Sequence, residues 1–552
     1  MRKEISHLFM KGRTAFVLAV LILGVAFGRG DGVDKPAVTL GVAQIDITPA
    51  KPVLMSGYEA RKTPFTGVHD PLSASALYFS GDGTAVLLIT ADVIGFRAEF
   101  VDELKARISS KTGIPSGNIM LTAVHNHGGP AIKADEDEVP DANEEYVTVL
   151  KGKLVDLAVE ASKKGVPFRM GIGKGACTMN INRRAVFADG GVWLGRNPDG
   201  PCDHEVGVVK FEDMSGATLA VLVNWPCHGT TSGQDNYEIT GDWPGAAART
   251  LKNRAGKDVV VAITAGASGD INPIYGPGND FDEIEAVGFH VGTEAWKTLA
   301  AIETSPVHSL GAANAAMTFP GKKACPDRYP RAAYESGPDA EVRLTTLKIG
   351  DLVLCGVSGE LMNEIGMAVK KQSPFSGTFV VTHANGSSGY ICTDKAFTEG
   401  GYEVQVTRLM PGAEGPLARK FLELIRSFQP AAAARPPEAV AQALVDAINA
   451  HDLDAVLRTY APDSVARRLP GGEEFLRGHA DVRAKFVALF AKSPGIGIEI
   501  VGRIVHGNYV IDREKVTDLA GGAGPSFGAV VYEIRDGLIR NEWYLPKTST
   551  PD

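Results

Sequence analysis

The sequence predicts a layered α/β domain followed by a smaller α+β domain, and three observations predict it. Across roughly residues 36–428, short β-branched apolar runs end abruptly in polar or glycine-rich residues, with helical stretches between them. Residues 429–436 then form an Ala/Pro-rich break that reads as a linker by composition. Beyond it, over roughly 437–549, helical periodicity comes first and strand-like runs follow.

Each element follows from its residues. Ala85 to Thr90, Ile119 to Val124, Leu219 to Trp225, Val259 to Thr264, Leu352 to Cys355 and Phe379 to Thr382 are continuous apolar runs. Their length suits strands buried on both faces. Ala98 to Ser110 and Glu144 to Lys164 are helical stretches between them, and Pro416 to Phe428 is a last amphipathic helix. In the tail, Pro437 to Ala450, Leu453 to Tyr460 and Ala480 to Phe490 read as helices. Ile498 to Val505, Tyr509 to Val516, Gly528 to Arg535 and Leu538 to Tyr544 read as strands, the last two joined by an Asp536-Gly537 hairpin turn.

Composition bounds the function. The chain has 552 residues, enough for two to four domains. Its 44% hydrophobic and 22% charged residues are ordinary for a globular protein. A net charge of -9 without a basic stripe gives nucleic acid no electrostatic footing. Arg2, Lys3, Lys11 and Arg13 precede an apolar run from Ala15 to Phe27. Residues 1–30 therefore read as a signal peptide, or as an uncleaved anchor, and place the protein outside the cytoplasm: periplasmic, secreted or membrane-anchored. The six cysteines form no CxxC pair, so a thiolate zinc knuckle is unsupported; export permits a disulfide without specifying its pairing.

Functional groups in α/β sheets gather beyond the carboxyl ends of strands, and every polar cluster of the first domain sits there. His125 and His127 form an H-x-H pair, which in a strand points both imidazoles to one side. Two such nitrogens hold a metal, or divide metal and substrate between them; a pair of surface histidines is the alternative. His228 precedes Gly229-Thr230-Thr231, small residues that admit a close backbone approach. Glu360 follows another strand. Two or three histidines with a carboxylate make a normal catalytic zinc sphere. The segment Gly266 to Pro273, with Asp270 and Asn272, lacks the endings of a phosphate loop and the GxSxG of a nucleophile elbow; a tight structural turn is its plain alternative.

The order of these residues resembles the neutral ceramidase family. The matching stretches are His125 to Pro130, Asn180 to Arg184, Asn224 to Thr230, Gly269 to Ile274, Ser358 to Glu360, and Tyr390 to Thr393 with Tyr402-Glu403. The resemblance implies a Zn2+ held by His125, His228, Glu360 and Tyr390, with catalytic roles for His127, Arg183, Asp270 and Asn272. It implies cleavage of the amide bond of an N-acyl lipid by metal-activated water. The family's serine is Asn272 here, and an amide is no nucleophile, so a covalent serine mechanism is excluded at this position. A metal-dependent esterase or other amidase, and a ligand-binding protein without turnover, stay open as alternatives. The tail resembles the SnoaL-like, or nuclear transport factor 2-like, fold, which implies a cone that binds small ligands or forms homodimers. Its histidines, His451, His479 and His506, read as surface residues. The expected partners are a small-molecule or lipid amide, a membrane surface and a second copy of the chain.

Overall fold

The computed structural model describes residues 38–429 and 435–548, apart from 82, 133–140, 326–328, 332 and 521–523. The N-terminal segment and most of the Ala/Pro break lie outside the described residues.

All six apolar runs of the first region are strands, and their carboxyl ends build the site. A nine-stranded sheet runs in the order Val260–Ala265, Thr218–Trp225, Glu205–Asp213, Val166–Ala176, Thr39–Asp46, Ser73–Gly81, Thr84–Ala91, Ile119–Ala123, with the short Ser305–Pro306 strand paired to Val166–Ala176. A four-stranded sheet runs Leu310–Lys322, Ser336–Ile349, Leu352–Val357, Gly377–Val381. Both are mainly antiparallel. In these two sheets only three pairs are parallel: Thr84–Ala91 with Ile119–Ala123, Thr218–Trp225 with Val260–Ala265, and Leu352–Val357 with Gly377–Val381.

The two sheets pack face to face, and alternation along each strand assigns its residues to two cores. Leu88, Leu222 and Leu354 point into the space between the sheets, with Phe79, Phe211 and Phe379. Their neighbours Leu87 and Ile89 face the helices Ala98–Thr112 and Asp141–Lys163. Val221 and Val223 face Asp242–Ala255 and Phe281–Ala300. Val353 and Cys355 face Asn363–Gln372 and Glu414–Arg426. Helix, sheet, sheet, helix is thus the layering, and burial on both faces is why these strands lack polar alternation. The expectation of a layered α/β domain holds. The second sheet as a separate layer, and the antiparallel hairpins, were not read from the sequence.

Hydrogen bonds stitch the two sheets together at their carboxyl ends. Thr122 Oγ1 donates to the Thr382 carbonyl at 2.9 Å, Thr382 N to the Ala265 carbonyl at 3.0 Å, and Asn224 Nδ2 to the Val380 carbonyl at 2.9 Å. None of the six cysteines is joined in a disulfide. Among the described residues no helix is long and apolar enough to cross a membrane.

The tail is α+β, with helices Pro437–Asn449, Leu453–Leu457 and Gly478–Lys492 against a six-stranded sheet. Its core is drawn from residues 440–544. The sheet order is Glu473–Arg477, Tyr460–Arg468, Leu538–Tyr544, Ser526–Arg535, Tyr509–Thr517, Gly497–His506. The second helix is shorter than expected, because Tyr460 already begins a strand. That strand and its partner were missed: Arg467, Arg468, Glu473 and Glu474 crowd their joined ends and hide the period of two. The Asp536-Gly537 turn has positive φ at both residues, 56° and 72°, as a tight hairpin requires. His506 is exposed. His479 is half-buried and bonds the Tyr460 carbonyl, and half-buried His451 lies against Phe490.

Candidate metal centre

The chain leaves strand Ile119–Ala123 and is caught by two backbone bonds, Val124 N to Ala91 O and His125 N to Val93 O. His125 then adopts φ 60°, the left-handed region that non-glycine residues rarely occupy. The H-x-H pair therefore lies past the strand end, and strand alternation is not what brings its rings together. The left-handed turn does so, with His125 Nε2 and His127 Nε2 3.4 Å apart. Asn126 and His127 run beside Gly229, which accepts from His127 N at 2.8 Å. A Cβ on Gly229 would lie 2.7 Å from Asn126 Cα. The small residue after His228 thus admits the histidine loop rather than a ligand.

His228 follows Thr218–Trp225. Its Nδ1 is 2.6 Å from the Ser268 carbonyl, and His125 Nδ1 is 2.6 Å from the Ile94 carbonyl. A carbonyl only accepts, so each Nδ1 carries a hydrogen and each Nε2 is the atom turned to the cluster. Both Nε2 atoms face one carboxylate oxygen: Glu360 Oε2 lies 3.1 Å from His228 Nε2 and 3.5 Å from His125 Nε2. Burial, then Arg183, lowers His228 to about 4, and burial with its two histidine neighbours holds His127 well below the imidazole range. Burial alone would raise Glu360, but His125 and His228 hold it well below the carboxylate range. Two histidine nitrogens and an ionised carboxylate converge here, a donor set that suits a divalent metal.

Tyr390 stands beside Glu360 in register, through the short parallel pairing of Glu360–Leu361 with Tyr390–Ile391. Burial pushes its hydroxyl well above the phenol range, with Arg183 opposing. The Arg183 guanidinium packs over the Tyr390 and Tyr402 rings. Its Nη1 is 3.2 Å from His228 Nε2 and donates to Asn272 Oδ1 at 3.2 Å, and its Nε donates to Glu403 at 2.7 Å. Asp270 holds this wall in place. Its carboxylate accepts from Asn182 Nδ2 at 3.0 Å and Asn363 N at 2.8 Å, and its carbonyl accepts from Arg183 N at 2.8 Å. Its side chain is engaged in bracing, and burial raises it to about 6.

The glycine-rich segment proves to be a close-packed turn. A Cβ on Gly269 would lie 2.6 Å from the Glu360 carbonyl, and Gly269 N donates to Leu361 O at 2.9 Å. Glycine here lets the Asp270 strand approach the Glu360 strand.

Two residues were missed. His383 stacks on His125 with ring centroids 3.8 Å apart, and its ligand atom lies within 4.8 Å of those of His125 and Glu360. Its signal was present, since it follows strand Gly377–Val381 as His228 follows its own strand. Glu403 is buried and grips both Arg183 and Arg184, at 2.7 Å each. Its only signal was its place beside Tyr402.

The fold and cluster define a class: a layered α/β domain with a candidate cation site at strand carboxyl ends, followed by an α+β cone. Residues 38–286 match the family model for the N-terminal region of neutral/alkaline non-lysosomal ceramidase, and residues 441–542 match that of the SnoaL-like domain. Both parts of the resemblance read from the sequence are thereby shown. Neutral ceramidase A of Dictyostelium discoideum is 25% identical over 302 residues, 48% of this chain and 41% of that protein. Neutral ceramidase of Pseudomonas aeruginosa is 25% identical over 310 residues, 51% and 45% of the two chains. The chain thus aligns with less than half the length of these relatives. The solved structure of neutral ceramidase from Pseudomonas aeruginosa shares its fold, with TM-score 0.60 at 16% identity, over 94% of this chain and all of that one.

Proposed function

We propose that this protein is a zinc-dependent hydrolase that cleaves the amide bond of an N-acyl lipid. The observation that carries the reading is the convergence of His125 Nε2, His228 Nε2 and Glu360 Oε2, with both histidine Nδ1 atoms held on backbone carbonyls. In this reading His125, His228, Glu360 and Tyr390 hold Zn2+. When bound, the ion supplies a Lewis acid and lowers the pKa of water.

The chain's own groups do the rest. Arg183, fixed by Glu403 and Asn272, directs positive charge at a carbonyl oxygen that gains negative charge. Arg183 Nη2 is buried without a hydrogen-bond partner among the described residues, a donor left over for substrate. Asn272 Oδ1 is taken by Arg183, which leaves its amide N–H groups as further donors. His127, beside His125, is placed to contact the substrate next to the metal ligands. Asp270 is a positioning residue. Export, membrane-surface association and dimerisation through the tail belong to the same proposal.

A metal-analysed activity screen tests the reading. Purified chain should carry one zinc and release fatty acid from a ceramide faster than from an ester of the same acyl chain. Faster ester cleavage would make it an esterase, and zinc without turnover on any acyl substrate would make it a binding protein.

A further inference from the structure

His383 brings a fourth histidine to the proposed metal centre, beside His125, His127 and His228. It is 6% exposed and takes φ 54°, as His125 takes φ 60°, so left-handed turns from two different sheets bring two imidazoles together. The rings stack with centroids 3.8 Å apart and planes 11° from parallel. The segment that carries His383 is bonded on both sides to elements that carry proposed ligands. On one side Ala384 bridges to Thr122, and Asn385 N donates to the Leu121 carbonyl at 2.9 Å. The Asn385 side chain accepts from Leu121 N and donates to the Ile119 carbonyl, each at 2.9 Å. Those three residues belong to the strand Ile119–Ala123 that leads to His125. On the other side Ala384 N donates to the Val357 carbonyl at 2.9 Å and His383 N to the Gly359 carbonyl at 3.4 Å, directly before Glu360.

A ligand atom of His383 lies within 4.8 Å of those of His125 and Glu360, close enough for a fifth ligand. The stack speaks against ligation. An imidazole nitrogen binds a metal through a lone pair in the plane of its ring. Two rings that lie nearly parallel, 3.8 Å apart, hold their planes side by side, and one ion cannot sit in both. A parallel partner supplies a flat face instead. The His125 ring becomes electron-poor when its nitrogen holds a cation, and an aromatic face stacked on it then gains attraction. The bond from His125 Nδ1 to the Ile94 carbonyl pins one edge of the ring, and the stack fixes its plane.

We propose that His383 is a positioning residue and not a ligand: it holds the His125 ring at the angle from which His125 Nε2 and Glu360 meet one cation. This role presupposes the cation site proposed above, and titration of the full chain with Co2+ against a competing chelator separates the two. His383→Phe keeps a ring and removes both nitrogens, and its Co2+ affinity should stay within about twofold of wild type. His383→Leu fills similar space without a ring, and its affinity should fall about three- to tenfold, the worth of one stacked aromatic pair. His383→Gln carries that arm if the leucine variant does not fold. The visible absorption bands of bound Co2+ report its ligands and should be those of wild type in every variant. Shifted bands in any folded variant, or a phenylalanine variant as weak as the leucine one, would make His383 a ligand and overturn the proposal. A leucine or glutamine variant that binds as wild type does would overturn it as well, by showing that the stack contributes nothing. Failure of the wild type itself to bind Co2+ or Zn2+ would remove the cation site, and this role with it.

Discussion

The two regions of the molecule bury polar groups in opposite ways. In residues 38–429 the six long runs are mostly apolar on both faces, and the site's histidines stand in the turns past their ends: His125, His127, His228 and His383, with Glu360 on a two-residue strand and Arg183 on Asn180–Val186. In residues 435–548 they stand inside the strands: Asp512, Glu514, Glu533 and Glu542. The first arrangement leaves the sheets free to pack tightly and lets loop geometry place ligands from two sheets. The second places polar groups by strand register, so each is fixed by its neighbours and compensated locally. The first centre gathers histidine nitrogens and a carboxylate beside Arg183, and the second pairs Asp512 with Arg503 and Glu542 with Lys485.

The largest effect should come from the loop centre. His228→Ala removes a proposed ligand whose Nδ1 the backbone holds, and should eliminate bound zinc and lower turnover by about 10³-fold or more. Metal analysis beside activity checks both, and full zinc occupancy in the variant would sink the assignment. Next is the wall that supports it. Glu403→Gln leaves Arg183 and Arg184 buried against a neutral amide, and should cost about 3–5 kcal/mol of stability, read from denaturant melts. A loss under about 1 kcal/mol would show that the wall does not depend on this pair.

Asn272→Ala should cost about 2–4 kcal/mol in the barrier to turnover, the worth of an oxyanion donor, and no acyl group should be trapped at position 272 in the wild type. A covalent acyl adduct there by mass spectrometry would falsify the water mechanism. Asp270 gives a pH test. Its folded carboxyl, near 6, holds a proton that the unfolded chain releases near about 3.9. Its contribution to stability therefore falls as pH rises from about 4 to about 6, by at most about 3 kcal/mol. The stability difference between wild type and Asp270→Asn should decline across that window and then level; a flat difference would show an ordinary carboxylate. The smallest effect is expected from removing the tail. A chain spanning residues 38–429 should keep its zinc, since every proposed ligand lies at or before Tyr390. Retained zinc with no turnover would mean that the tail completes the hydrolase site, and would dissolve the contrast between the regions.

Legibility in the sequence follows the same contrast. Polar residues that interrupt an apolar run stand out, so His125, His228 and Glu360 were visible as strand-end groups. His383 carries the same signal, directly after the run Phe379 to Thr382. Glu403 appeared only within the matching Tyr402-Glu403 stretch and had no role there, because its meaning lies in Arg183 and Arg184, more than two hundred residues away. In the tail, Asp512 and Glu514 alternate with Ile511 and Arg513. Such alternation reads equally as a solvated polar face, and only the observed register shows the acids pointing inward.

By itself the sequence determined the apolar strand runs, the helices between them, the Ala/Pro break, the change of fold type and the strand-end placement of the polar clusters. Those are local properties, carried by period, turn chemistry and composition within a few residues. Only the tertiary structure decided that there are two sheets, that their carboxyl ends meet, and that His125 Nδ1 and His228 Nδ1 are committed to backbone carbonyls. It also decided that Asp512 and Glu514 point inward. These depend on which distant residues come within a few ångströms of one another, and no local pattern along the chain records that distance.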